Sequence, residues 1–130
     1  MEKRKDILER TFKFGVAIIK LANFLPKTPS GFTITNQIVR SGTSVGANIE
    51  EAQDASTKKE FIKSVSIALR EARETKFWLR TATESDNLKP EITKNILNES
   101  EELIKILVAI IKKSKMNLWF FHSQLSILNS

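Results

Sequence analysis

Residues 57–80 read TKKEFIKSVSIALREARETKFWLR, and this stretch decides the fold class. It opens on Thr57-Lys58-Lys59-Glu60, the S/T-x-x-E form of a capping box, in which a hydroxyl and a carboxylate satisfy orphan amides at a helix start. At about 100° per residue, Phe61, Val65, Ala68, Ala72 and Leu79 fall on one arc, the expected core face. Lys59, Lys63, Arg70, Arg73 and Arg80 fall on roughly the opposite arc, within about 100° of one another. Between the two runs a third line, Ile67, Glu71, Glu74 and Trp78, whose members are neighbours along one helix edge. The stretch therefore predicts a helix from Ser56 or Thr57 to about Glu84, with a core face, a basic face and an edge suited to a subunit interface.

The same period extends in both directions. Pro26, Pro29 and Ser30-Gly31 form one break, Asp54-Ala55-Ser56 a softer one, and Asp86 to Pro90 a third. Between them no alternation suggests strands. A first helix is expected from about Lys5 to Leu25, with Leu8, Thr11, Phe12, Gly15, Ile18, Ile19 and Ala22 on one side. A second runs from near Thr33 to Gln53, with Ile34, Ile38, Val45, Ile49 and Ala52 inward. The last begins near Lys89, where Pro90 suits a first turn, and reaches about Lys115. Short connections favour an all-α, antiparallel up-down four-helix bundle as one domain, residues 1–115. Residues 116–130 follow as an apolar tail, with Leu118, Phe121, Leu125 and Leu128 at helical spacing, read as a short segment closing the bundle.

Two surfaces exceed what a lone bundle needs. On the last helix Ile96, Leu103, Leu107 and Ile110 make the expected stripe. Leu97, Ile104, Ile106, Val108 and Ile111 widen it to about 200°, so the excess is expected to be covered in part by the C-terminal tail or by a second copy of the chain, with assembly into an oligomer the favoured reading. On the second helix Gly42 and Gly46, among Ser41, Thr43, Ser44 and Ala47, leave no bulk between backbones, so a neighbouring helix is expected to approach closely. Interior glycines there each cost about 1 kcal/mol in helix propensity, which close packing offsets.

The chain has 130 residues and a formal net charge of +6, so phosphate polymers and anionic surfaces are its natural partners. The basic face of the third helix, joined by Lys13 and Lys20 of the first, is the expected contact for RNA or DNA. The alternative is a solvated face on a scaffold that binds a partner protein. There is no Cys, which removes disulfides, thiolate metal sites and a cysteine nucleophile, and which fits a cytoplasmic protein. The single His, His122, lies in the tail without a nucleophile partner. No phosphate-binding glycine loop, dinucleotide fingerprint or metal-binding motif occurs. Glu71 and Glu74 stand beside Arg70, Arg73 and Lys76, where ion pairing is the simpler role. No catalytic residue, metal or cofactor is expected, and neither a signal peptide nor a membrane span.

The run Arg40-Ser41-Gly42-Thr43-Ser44-Val45-Gly46-Ala47-Asn48-Ile49, then Glu51-Ala52, resembles the signature of the bacterial family named for the 23S ribosomal RNA intervening-sequence protein. A second block, from Lys59-Glu60-Phe61-Ile62-Lys63 through Glu71-Ala72-Arg73-Glu74-Thr75 to Trp78-Leu79-Arg80, resembles it too. The resemblance spans about Phe14 to Ile111. It implies an antiparallel four-helix bundle, assembly as a homopentamer and no enzymatic activity. A related branch, the accessory variability determinant of diversity-generating retroelements, is a basic pentamer that works with a reverse transcriptase and nucleic acid, so those partners are implied as well. Arg40, Ser44, Asn48 and Glu51 are motif positions along one helix edge, expected to hydrogen-bond across a helix pair or a subunit joint.

Overall fold

A computed structural model describes the backbone of residues 2–128 and the side chains of residues 6–117. Four helices account for the chain: α1 (Glu2–Ala22), α2 (Pro29–Gln53), α3 (Lys58–Glu84) and α4 (Pro90–Leu128), with no strand among the described residues. They form a four-helix bundle in which each helix packs on its chain neighbours, α4 closes back onto α1 through a slimmer contact, and α1 and α3 stand on opposite corners. No described helix is long and apolar enough to cross a membrane.

The helix starts follow from side chains that satisfy orphan amides. At α3 the Thr57 hydroxyl accepts from the Glu60 amide at 3.1 Å, and the Glu60 carboxylate accepts from the Ser56 amide at 3.0 Å. The box forms one residue wider than its ideal pattern, but does the same work. α2 begins at Pro29, earlier than the expected Thr33, because Thr28 caps it and accepts from the Gly31 amide at 3.1 Å. The Pro29-Ser30-Gly31 run reads as a break, yet a proline in the first turn costs a helix nothing. Gly31 is required for close approach: a Cβ there would overlap the carbonyl oxygen of Pro26. α3 ends in a Schellman turn, with the Asn87 amide on the Ala82 carbonyl at 2.9 Å and Asp86 at φ 62°, in the left-handed region.

The core is built from Ile18, Ile38, Val45, Ile49, Val65, Ala68, Ala72, Leu79, Leu103 and Leu107, all at most 2 % exposed. Every buried side-chain nitrogen and oxygen among the described residues has a hydrogen-bond partner. The α2 face is as expected, with Ile34, Ile38, Val45, Ile49 and Ala52 buried. On α3, Thr75 and Ala82 join the expected set, while Phe61 is only partly buried.

The expected face of α1 is turned by roughly 60° from the observed one. Thr11, Gly15, Ile18 and Ala22 are buried as expected and Ile7, Phe14 and Leu21 join them, whereas Phe12 and Ile19 are 60 % and 48 % exposed. The cause is that α1 meets two helices. Its small and β-branched residues face α2, but Phe14 and Leu21 share the side of Arg10, which reaches α4. Periodicity alone favoured the first of these contacts.

α4 differs in two ways. It runs unbroken past Lys115 to Leu128, 39 residues in all, so no separate segment folds back from Met116. The side chains expected to pack there, Leu118, Phe121, Leu125 and Leu128, lie outside the described residues, as does that of His122. The wide apolar arc of α4 is largely covered within the chain. Leu97, Ile104, Ile106 and Ile110 pack against the core, Ile111 is buried and Val108 is half-buried. A helix held on its two flanks by α3 and α1 uses a broader arc than one with a single partner. Exposed large apolar residues lie instead on α1 and at scattered points: Phe12, Val16, Ile19, Phe24, Phe32, Phe77 and Met116.

The glycines give a paired stability test. A Cβ on Gly15 would meet the Thr43 Cα at an ordinary 3.5 Å. Gly15→Ala therefore gains helix propensity and stabilises by up to about 1 kcal/mol. Gly31→Ala pushes a backbone carbonyl aside and destabilises by about 2 kcal/mol. Urea unfolding of the two variants reads both signs.

Candidate nucleic-acid interface

The small-residue stretch of α2 is the joint with α1. A Cβ on Gly42 would stand 2.7 Å from the Ile18 side chain, and one on Gly46 3.0 Å from the Thr11 carbonyl oxygen. The space those glycines leave is filled by α1, as the sequence suggests. An apolar cleft of about 540 Å³ opens elsewhere, where Ile7, Ile49, Phe61, Val65, Ile106 and Ile110 meet.

The opposite side of α2 is the joint with α3. Arg40 donates to both Glu71, at 3.2 Å, and Glu74, and also to the Gln37 side chain. Trp78 Nε1 donates to the same Glu74 carboxylate at 3.3 Å. At the next residue of each helix the Thr75 hydroxyl donates to Ser41 Oγ at 3.0 Å, a buried link with no charge in it. Glu71 and Glu74 therefore line an intrachain seam, and Ile67 and Trp78 stand half-buried on the same edge of α3. Of the motif line, only Arg40 reaches across a helix pair. Ser44 and Asn48 bond back to carbonyls of their own helix, Arg40 at 2.6 Å and Ser44 at 2.8 Å. Glu51 is exposed.

This seam shapes the outer face of α3. Three of its carboxylates are held away from the basic arc, Glu71 and Glu74 by Arg40 and Glu60 by the helix start, while Glu84 stays exposed at its C-terminal end. Lys59, Lys63, Arg70, Arg73 and Arg80 are all exposed, and among the described residues none has an ion-pair partner. Two cations elsewhere tie helices together. Lys76 meets Glu101 on α4 at 3.5 Å, and Arg10 joins Glu99 there at 2.6 Å. The Glu99 hydrogen bonds, with added attraction from nearby acids, push the Arg10 guanidinium above its ordinary value.

The other two expected contact residues do not join the face. Lys13 and Lys20 lie on α1, the corner opposite α3. Lys13 is paired with Glu9 at 3.7 Å, and Lys20 occupies the last turn of α1, where a cation offsets the helix dipole. One residue of the α3 face was missed in the sequence. Phe77 is 57 % exposed and lies at the middle of the basic arc. Its position on the wheel was legible, but an aromatic residue beside Trp78 is ordinarily assigned to packing.

The chain matches the family described as 23S rRNA-intervening sequence protein over residues 3–109. It belongs to that family. No curated protein matches it. Among solved structures it is similar to a protein of unknown function from the S23 ribosomal protein family of Bacteroides thetaiotaomicron VPI-5482. The two are 40 % identical with a TM-score of 0.77, over 82 % of this chain and 98 % of the other. The family match ends about five turns before the end of α4, so the stretch from Met116 to Leu128 lies beyond the 23S rRNA-intervening sequence region.

Arg40 closes this site's supporting seam, with Glu71 at 13 % side-chain exposure and Glu74 at 36 %. A double-mutant cycle between Arg40→Ala and Glu71→Gln, read by thermal unfolding, is expected to show coupling of about 1 kcal/mol that shrinks with salt. Zero coupling at low salt removes Glu71 from the clasp.

Proposed function

We propose that this chain is a non-enzymatic, antiparallel up-down bundle that assembles as a cytoplasmic homopentamer and binds RNA or DNA through the outer face of α3. The observation that carries the binding is the set of five exposed cations, Lys59, Lys63, Arg70, Arg73 and Arg80, left without partners by the seam beneath them. Phosphate oxygens are the ligands that such a row of guanidinium and ammonium groups fits, and each neutralised phosphate releases counterions. Repetition of the face around a ring multiplies weak contacts. The membership of the 23S rRNA-intervening sequence family agrees with a place near nucleic acid.

The antiparallel reading is supported by pairings in which residue numbers fall along one helix as they rise along its neighbour. Ile18 lies at Gly42 and Thr11 at Gly46; Thr83 bonds Thr93, and Lys76 meets Glu101. Self-association is supported by the α1 stripe of Phe12, Val16 and Ile19, which share one side of the helix and are 60 %, 37 % and 48 % exposed. The same stripe favours a second reading, a scaffold whose apolar face takes a partner protein, a reverse transcriptase being one such partner.

Two measurements test these readings. Replacing Lys63, Arg70 and Arg73 together with Glu is expected to abolish binding of a labelled oligonucleotide that the parent chain binds with a steep salt dependence. Unchanged binding assigns the contact to another face. Ile19→Glu, at an exposed position, is expected to leave the helix content intact and reduce the assembly to single chains by native mass. An assembly that survives it, together with Phe12→Glu, places the subunit joint elsewhere.

A further inference from the structure

We infer that Phe77 is a base-stacking platform, and that the nucleic acid taken by the α3 face is single-stranded. This rests on the nucleic-acid reading of that face and adds the form of the ligand to it.

Phe77 lies on the basic face with Arg73 one turn before it and Arg80 one turn after, and Arg70 a further turn back. It is 57 % exposed, so it covers little of the core. Its ring meets that of Trp78 edge to face, with centroids 5.1 Å apart and planes at 76°. Trp78 is half-buried and fixed in turn by its hydrogen bond to Glu74, which Arg40 clasps. The exposed ring is thus held by a chain of contacts rooted in the α2–α3 seam, and its orientation is set before any ligand arrives.

A ring among cations suits a single strand. In a duplex the bases are stacked on one another and the helix exterior offers phosphates, which need only the lysines and arginines. A single strand offers phosphates and unstacked base faces together. Phe77 can then take a base while Arg73 and Arg80 meet the phosphates on either side. A second copy of this same face is a poor occupant, because it would bring like charges together.

Stacking contributes affinity without counterion release, and this separates it from the cations around it. The test uses the full chain and a labelled oligothymidylate, with a DNA duplex of the same length beside it, read by fluorescence anisotropy. Phe77→Leu keeps an apolar side chain and removes the ring. It is expected to weaken the single strand about tenfold, to leave duplex binding and both salt slopes unchanged, and to leave the native mass unchanged. Phe77→Trp is expected to restore the single-strand affinity. Undiminished oligothymidylate binding by Phe77→Leu overturns stacking and leaves the basic-face reading standing. A fall in native mass also overturns it and places the ring in a subunit joint. A parent chain that binds neither probe overturns the basic-face reading and this inference together.

Discussion

The close approach of α1 to α2 across Gly42 and Gly46 is the constraint on which the rest of the bundle depends. With no Cβ on either glycine, Ile18 and the backbone at Thr11 enter the space a side chain would take. The short distance fixes how α1 is rotated, and so which of its residues face inward. Arg10 is placed to meet Glu99 on α4, which closes the bundle at its slimmest joint. The same rotation turns Phe12, Val16 and Ile19 outward. The apolar surface a neighbour can cover is thus a product of two glycines on another helix.

α2 carries this constraint across to α3. One flank of α2 is small residues against α1. The other holds Ser41, bonded to Thr75, and Arg40, clasping Glu71 and Glu74. The clasp has an electrostatic consequence on the far side of α3. Acids that a surface helix would ordinarily interleave with its lysines are engaged at the seam. The outer face is left with five cations against one exposed acid, Glu84, and a potential of this kind attracts anions over longer distances than any single contact. The motif of α2 and the basic face of α3 are in this sense one device, the first holding the carboxylates that would neutralise the second.

The aromatic residues divide along the same line. Trp78 sits in the seam and ties its indole to Glu74, whereas its neighbour Phe77 stands on the basic face. Adjacent positions on a helix point about 100° apart, so consecutive aromatics cannot serve the same surface. The pair joins the seam to the face through one edge-on ring contact.

Local chemistry determined a good deal by itself. The capping box at Thr57 and Glu60, the inward face of α2, the first-turn role of Pro90 and the close contact at Gly42 and Gly46 were all legible, because each depends on residues within a turn or two of one another. The basic arc of α3 was legible for the same reason. The engagement of Glu71 and Glu74 away from it was not, since it depends on Arg40, a residue of a different helix. The inward face of α1 was misread because two partners competed for it, and the breadth of α4 was misread because two flanks of the same chain cover it. Periodicity tells how much apolar surface a helix has; only the tertiary arrangement decides how many neighbours share it, because burial depends on distances between helices that no single helix encodes.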